Sequence, residues 1–593
     1  MLANQSVDQM LMKARSHAKR REITDAKKLY QAVLLAFPKN KRAQEELATL
    51  NKTQQNNSNQ NPPQELIDQL INQYNQGQLE AMADQARALT GQYPHAFVIW
   101  NCLGVANLDL GRLEEASKAF KKVTELNPNY ADGYNNLGVT LQEQGKLDQA
   151  IEIYEKLLSI KPNYVDAYYN IGNVLNEQGK LVDAIEAYKK AISLKPDYAE
   201  AFANLGTTLQ SQWKLDQSVA AYKKAAALNY FTSDLCYNLG LSYLYLGKLD
   251  EAFKAYNEVL SIKPDHAEAH RNLGFVLLNS GRIKEGLDEY EWRWKTAKNL
   301  KNTRVQTEKR HFLQPMWDGQ QSLKGKRILI WSEQGVGDTI MWSSRLSLLA
   351  SQAKHCILEC QPKLLPLLKR SFPNVEVKAI NRSIDQKRDD FDYHLPMGSL
   401  YKNFIQDIST TYKADAYLVP DPARVGYWKD RLKSLGKGPY IGISWKSADM
   451  GVLRLPNYAK ISELSPILTM PDVTFINLQY VDFAEDLNQI KNNLGVTVHN
   501  FDDLDHFDNI DDVAALCTAL DMVVSTKTTV PLISTAVGTS TKLANWKQSP
   551  WNNVLLNPHG PSIDIFERNT WEPWEDVFKL ISKDVQKTTK IHC

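Results

Sequence analysis

Three short segments in the C-terminal half of this 593-residue chain put polar side chains where a transfer reaction could use them. The first, Gly335-Val336-Gly337-Asp338, follows the apolar run Arg327 to Ser332 and opens an apolar helix from Thr339. Glycine lets backbone pass close to a ligand, and a helix starting there presents its first amides to an anion. Asp338 reads two ways: as a helix cap, or as a general base at the carboxyl end of a strand, pointing into a cleft. With no third glycine, the segment is not a dinucleotide fingerprint. The second segment, Ser444 to Ser447, places Lys446 where it could meet a phosphate as a point charge. A solvated lysine beside a core Trp445 is the plainer reading. The third, Ser525 to Thr539, brings Lys527, Thr528 and Thr529 to a strand end that opens into a helix. Those hydroxyls and the free helix amides would suit a diphosphate or sugar-nucleotide phosphate; helix capping by threonine accounts for them as well.

The elements that must position these segments alternate between strand and helix. Strands are expected at Arg327 to Ser332, His355 to Cys360, Val375 to Ile380, Tyr440 to Ser447, Val473 to Tyr480, Val496 to Phe501 and Asp521 to Thr526. Helices are expected at Pro362 to Phe372 and near Leu455 to Met470, Ala484 to Asn493, Asp511 to Leu520 and Thr528 to Val537. Two successive βα arrays imply two Rossmann-like halves, 299–435 and 436–593, with a cleft between them.

The N-terminal half obeys a different rule. Gly104, Gly138, Gly172, Gly206, Gly240 and Gly274 recur every 34 residues. Gly111, Gly145, Gly179, Gly247 and Gly281 form a second row, interrupted by Trp213, and Phe120, Tyr154, Tyr188, Tyr222, Tyr256 and Tyr290 form a third. Pro94, Pro128, Pro162, Pro196 and Pro264 close the units. This spacing is identified as the tetratricopeptide (TPR) pattern of stacked helix pairs. The fold class expected is therefore α + α/β: a TPR-like helical segment at 1–50, a polar linker at 51–64, a TPR superhelix with a concave groove at 65–298, and then the two halves. The last unit ends in Glu289 to Lys295, where aromatic residues and Arg293 replace the proline stop, which suggests a cap docked on the next domain.

Asn136, Asn170, Asn204, Asn238 and Asn272 each lie two residues before a glycine of the first row. At about 100° per residue they fall roughly opposite the core stripe of their own helix, so packing within the pair does not require them. They are either solvated copies left by duplication or an amide ladder that binds the backbone of an extended acceptor peptide. The ladder resembles that of the TPR superhelix in the eukaryotic O-linked GlcNAc transferase, with Cys102 breaking it at the first repeat.

Composition narrows the function classes. Lysine plus arginine number 70 against 68 acids, a net charge of +2, so no global field recruits nucleic acid or an anionic membrane. Six scattered cysteines lack zinc-site spacing and fit a reducing compartment. No secretory core and no run of about 18 apolar residues stand out, so a soluble cytoplasmic protein without membrane insertion is expected.

The stretches Trp317 to Ile340 and Asp521 to Gly538 resemble the bacterial TPR-linked glycosyltransferases, whose catalytic part is similar to the heptosyltransferases of the GT-B fold. The resemblance implies a general base at Asp338, and the residues that would then bind the donor are Gly335, Gly337, Lys446, Lys527, Thr528 and Thr529. In that family the late motif carries Asp or Asn and then His where this chain has Lys527 and Leu532. TPR glycosyltransferases that modify flagellin imply the rest: a flagellin acceptor held along the asparagines, and transfer to Ser or Thr from a nucleotide sugar such as a CMP-linked nonulosonic acid. No Asp-x-Asp metal constellation sits where the donor would lie, so metal-independent transfer without a cofactor is expected. The other readings are a TPR adaptor or export chaperone with a decayed GT-B part, and a glycan-directed glycosyltransferase.

Overall fold

A computed structural model describes residues 6–20, 22–58, 61–296, 310–404, 416–447, 457–481, 483–547, 562–569 and 572–589. The chain divides into two compact units, Met1–Thr208 and Leu209–Cys593. The division falls within the repeats, whose second glycine row continues to Gly281.

The first unit is helical. Typical pairs are Phe97–Asp109 with Leu113–Leu126, and Ala131–Glu143 with Leu147–Ile160. Each pair depends on the first glycine row: a Cβ on Gly138 would lie 2.4 Å from the Tyr154 ring, so any side chain there would force the helices apart. The turn between helices depends on the second row, where Gly145 sits at φ +72°. Successive repeats are cross-linked outside the core as well. The Tyr164 hydroxyl donates to Asp132 at 2.8 Å, and Lys146 pairs with Glu114 at 3.3 Å. The expected linker is partly helix, because Lys41–Ser58 is one continuous element. A helix already nucleated propagates readily through Lys52, Gln54 and Gln55, which are ordinary helix formers.

The second unit begins with repeat helices and ends in two parallel sheets. Helices Ser233–Tyr245 with Leu249–Ile262, and Ala267–Asn279 with Ile283–Tyr290, precede a 3-10 turn at Glu291–Trp294. Strands β1 (Arg327–Trp331), β2 (His355–Cys360), β3 (Glu376–Ala379) and β4 (Tyr393–Pro396) form a four-stranded sheet in the order β3-β2-β1-β4. Strands β5 (Tyr440–Ser444), β6 (Thr474–Asn477), β7 (Val498–His499), β8 (Met522–Thr526), β9 (Thr541–Trp546) and β10 (Ile563–Arg568) form a six-stranded sheet in the order β10-β9-β8-β5-β6-β7. All neighbouring strands run parallel. Counted from its own first strand, the second sheet has the doubly wound order 3-2-1-4-5-6, and the first sheet is the same order cut after its fourth strand. The order reverses between β1 and β4 and between β5 and β8, and the loops leaving β1, β5 and β8 are those singled out by sequence.

Helix was expected from Leu455 to Met470. Among the described residues this stretch holds only a 3-10 turn, Ile461–Leu464, and a short helix, Ser465–Leu468, with a proline in its first turn. Residues 451–456 lie outside the described residues. Strands β4, β9 and β10 and the helices Pro422–Lys433 and Trp574–Thr589 extend the βα pattern beyond the expected elements.

Within this unit the repeats share cores with the sheets. Leu278, Ile283, Leu287 and Tyr290 pack in one cluster with Ile328, Ile330 and Trp342. Trp213, Leu215 and Tyr245 pack in another with Ile441, Val524 and Trp546. The cap expected at Glu289 to Lys295 is docked: the buried Arg293 guanidinium pairs with Glu333 at 3.0 Å, just past β1. It also donates to Ser399 at 2.9 Å.

Candidate functional site

The loop leaving β1 carries Ser332, Glu333, Gln334 and Gly335 into the helix Val336–Ser343. Asp338 is at the third helical position, where its carboxylate accepts the Gly335 N–H at 3.2 Å, so capping is one of its roles. It is half-buried at the carboxyl end of the sheet. Glu333, which sequence reasoning passed over, is buried five residues earlier, in the loop that leaves β1. Burial pushes its carboxyl up to about 7, against the pull of Arg293 and the hydrogen bond from the Gly398 N–H. Gly398 must be glycine here, since a Cβ would lie 2.1 Å from Glu333 Oε1.

In the second half, Lys446 comes after β5 and is half-buried. Its ammonium pairs with Asp486 at 2.6 Å, and the same carboxylate accepts the Trp445 indole N–H at 2.8 Å. Lys446 therefore brings its own counter-ion to any phosphate, which weakens it as a lone point charge. Lys527 and Thr528 leave β8. The Thr528 hydroxyl oxygen accepts the Val530 N–H at 3.2 Å and lies 3.3 Å from Ser525 Oγ and 3.5 Å from Ser444 Oγ. It thus joins the ends of β5 and β8 where the strand order reverses. The Thr529 carbonyl accepts the Leu532 and Ile533 N–H groups and so begins the helix Val530–Ala536.

The two halves meet at these loops. A Cβ on Gly337 would lie 3.0 Å from Leu532 Cδ1 and 3.4 Å from Thr529 Oγ1, so the Gly-Asp turn rests directly on the start of the late helix. Nearby, Arg370 grips Asp511 through two bonds at 2.8 and 3.0 Å, and Lys363 donates to the Phe507 carbonyl at 2.9 Å while covering that ring. Gly335, Gly337, Asp338, Lys446, Lys527, Thr528 and Thr529 all lie at the carboxyl ends of these two sheets. Among the described residues, no group of three or more His, Cys, Asp or Glu could hold a metal ion.

The repeat asparagines are not solvated spectators. Asn136 donates its amide to Asn101 at 3.3 Å, Asn170 to Asn135 at 3.1 Å, and Asn204 to Asn173 and the Tyr169 hydroxyl at 2.9 and 3.0 Å. In the second unit Asn272, only 4% exposed, donates to the Tyr237 hydroxyl at 3.1 Å, and the Asn238 carbonyl accepts from Gln210 at 2.8 Å. The helical projection placed these residues away from the core of their own pair, but the side chains of Asn136, Asn170, Asn204 and Asn272 reach the preceding repeat, while Asn238 meets it through its backbone carbonyl. Asn136, Asn170 and Asn204 remain half-buried, whereas Asn272 has little surface to offer an acceptor.

Comparison with known proteins fits the helical part. Segments 104–145, 142–179, 172–212 and 240–281 match the family described as TPR repeat, and 11–57 matches tetratricopeptide repeat. The chain carries tetratricopeptide repeats. A curated relative, Protein FlbA of Caulobacter vibrioides, is 33% identical over 275 residues, which is 44% of this chain and 46% of FlbA. The chain thus spans about half the length of that relative. Among solved structures, MamA is 31% identical over 27% of this TPR chain and 93% of its own, with a TM-score of 0.26. YrrB, titled a TPR protein with an unusual peptide-binding site, is 21% identical over 32% of this chain and 96% of its own, with a TM-score of 0.28. No helix among the described residues is long and apolar enough to cross a membrane.

Proposed function

We propose that this TPR protein is a protein O-glycosyltransferase, in which the repeats hold an acceptor polypeptide and the paired sheets transfer a sugar from a nucleotide-activated donor. The observation that carries the reading is the meeting of the two strand-order reversals at Gly337, Thr529 and Leu532. A donor bound at the ends of β5 and β8 lies across from Asp338. In the reaction, the acceptor Ser or Thr oxygen bonds to the anomeric carbon as the bond to the nucleotide phosphate breaks. Asp338 takes the hydroxyl proton, Lys527 and the hydroxyls of Thr528 and Thr529 offset the charge gained by the leaving phosphate, and Lys446, already paired with Asp486, helps to hold the donor nucleotide. No metal enters this scheme. The resemblance to flagellin-modifying TPR glycosyltransferases makes flagellin the acceptor of choice, in the cytoplasm, with a CMP-linked nonulosonic acid as donor, and the FlbA relative fits a flagellum-related setting.

Replacing Asp338 with Asn or Ala should abolish the mass added to a co-expressed acceptor while leaving acceptor pulldown intact. Unchanged incorporation would remove Asp338 from the mechanism. Two observations favour the second reading, a non-catalytic adaptor: Leu532 packs on the Gly-Asp turn, and Lys446 is already paired with Asp486. Intact-mass analysis of the acceptor with donor pathways present separates the two, since an adaptor adds no mass.

A further inference from the structure

Each sheet holds the loop after its first strand with a glutamine placed after its second strand. The two clamps are built alike. In the first half Gln361, directly after β2, accepts the Ser332 hydroxyl at 3.3 Å and the Thr339 hydroxyl at 3.2 Å through Oε1. Its Nε2 donates to the Gln334 carbonyl at 2.7 Å. In the second half Gln479, two residues after β6, accepts the Ser444 hydroxyl at 3.2 Å and the Trp445 and Lys446 N–H groups at 3.1 Å each. Its Nε2 donates to the Lys446 carbonyl at 2.8 Å.

The correspondence extends to two contacts in each half. In both halves the amide oxygen takes the serine at the end of the first strand, and the amide nitrogen takes the carbonyl two positions later. Ser332 matches Ser444, and Gln334 matches Lys446. Gln479 is fully buried, so none of its bonds competes with water and each one left unmade strands a desolvated group. One side chain thereby fixes both the donors and the acceptors of a loop that has no ladder of its own.

We propose that Gln361 and Gln479 are positioning residues for group transfer. Gln361 holds the loop that leads into Asp338, and Gln479 holds the loop that carries Lys446. The inference rests on the glycosyl-transfer reading above. Because the two loops serve different tasks, the two glutamines separate kinetically: Gln361 acts on proton removal from the acceptor, and Gln479 on affinity for the nucleotide.

The test uses full-length Gln361→Met, Gln479→Met and Gln479→Glu, with thermal unfolding as the check on folding. Amide hydrogen exchange over residues 332–339 and 444–447 reads loop holding directly, and each Met variant should loosen only its own segment. Titration with CMP, UDP, GDP and ADP reads nucleotide affinity, and acceptor intact mass against time reads turnover. Gln479→Met should weaken nucleotide binding by about tenfold, with kcat at saturating donor retained. Gln479→Glu, which keeps the accepting half of the clamp, should recover part of that loss. Gln361→Met should lower kcat by about tenfold with nucleotide affinity unchanged. Unaltered KM and kcat in both Met variants, or equal losses in every parameter, overturn the proposal. A wild-type protein that binds no nucleotide and adds no mass overturns the transfer reading and the transfer role of both glutamines with it. The exchange data then decide loop holding alone.

Discussion

Trp213 packs edge-on against Trp546, ring centroids 6.1 Å apart, with Tyr245 stacked on Trp546 at 5.8 Å. This contact explains the one break in the second glycine row. At φ +58° Trp213 adopts the left-handed conformation that the row reserves for glycine, and its ring fastens the repeats to the end of β9. The strain of such a residue, about 1–3 kcal/mol, is outweighed by burying the indole.

Trp213→Gly therefore restores the repeat consensus and yet destabilises the protein. Relief of the backbone recovers about 1–3 kcal/mol, while loss of a buried tryptophan costs about 3–5 kcal/mol. Urea unfolding should show a net loss of about 2 kcal/mol. A variant as stable as the wild type would mean that Trp213 is only a tolerated irregularity.

Glu333 gives stability a pH dependence of definite sign. Its carboxyl is raised from an ordinary 4.5 to about 7 in the folded protein, chiefly by burial. The folded state thus binds the proton more tightly than the unfolded chain between those values, and this contribution is fully present below the lower value and lost as pH rises through about 7. Glu333→Gln keeps a neutral partner for Gly398 and should flatten that decline when unfolding midpoints are compared across the window. An equal slope in both proteins would place the pH dependence elsewhere.

The asparagine row now predicts an effect on stability. Asn136, Asn170 and Asn204 each donate an amide to another residue of the array. Converting all three to Ala should lower array stability, at about 0.5–1.5 kcal/mol for each bond lost. Far-UV circular dichroism during urea titration measures this without any acceptor. An unchanged midpoint, together with weakened acceptor binding, would return these residues to the purely acceptor-facing role.

One physical distinction separates the elements legible in the sequence from those hidden in it. β1, β2 and β8 stand out because buried parallel strands are apolar runs, and the repeats stand out because glycine and tyrosine must recur wherever two helices touch. β4 and β9 are hidden because their polar residues are satisfied by distant partners. His394 accepts the Trp331 indole N–H at 3.3 Å, and Lys542 is held by Asp564 and Asp584 at 2.5 and 2.6 Å. Gln361 and Gln479 are hidden for the same reason, since a lone glutamine after a strand carries no pattern until its partners are in place. Asp338, Lys446 and Thr528 are legible from their places after strands, but Asp486 beside Lys446 needs the fold.

The contact between Gly337 and Leu532 can be tested as a pair. At 3.0 Å a methyl on Gly337 is tighter than ordinary packing against Leu532 Cδ1, so Gly337→Ala must push the late helix or the Gly-Asp turn aside. Overpacking of this kind costs about 1–3 kcal/mol. Leu532→Ala alone leaves a small gap, and in the double variant the new methyl partly fills it. The double variant should therefore be more stable than the sum of the single losses, with a coupling of about 0.5–3 kcal/mol as expected for residues in contact. If the same coupling appears in transfer to an acceptor, the spacing between the two loops governs the reaction. Strict additivity in both measurements would mean that the loops are not in contact in solution.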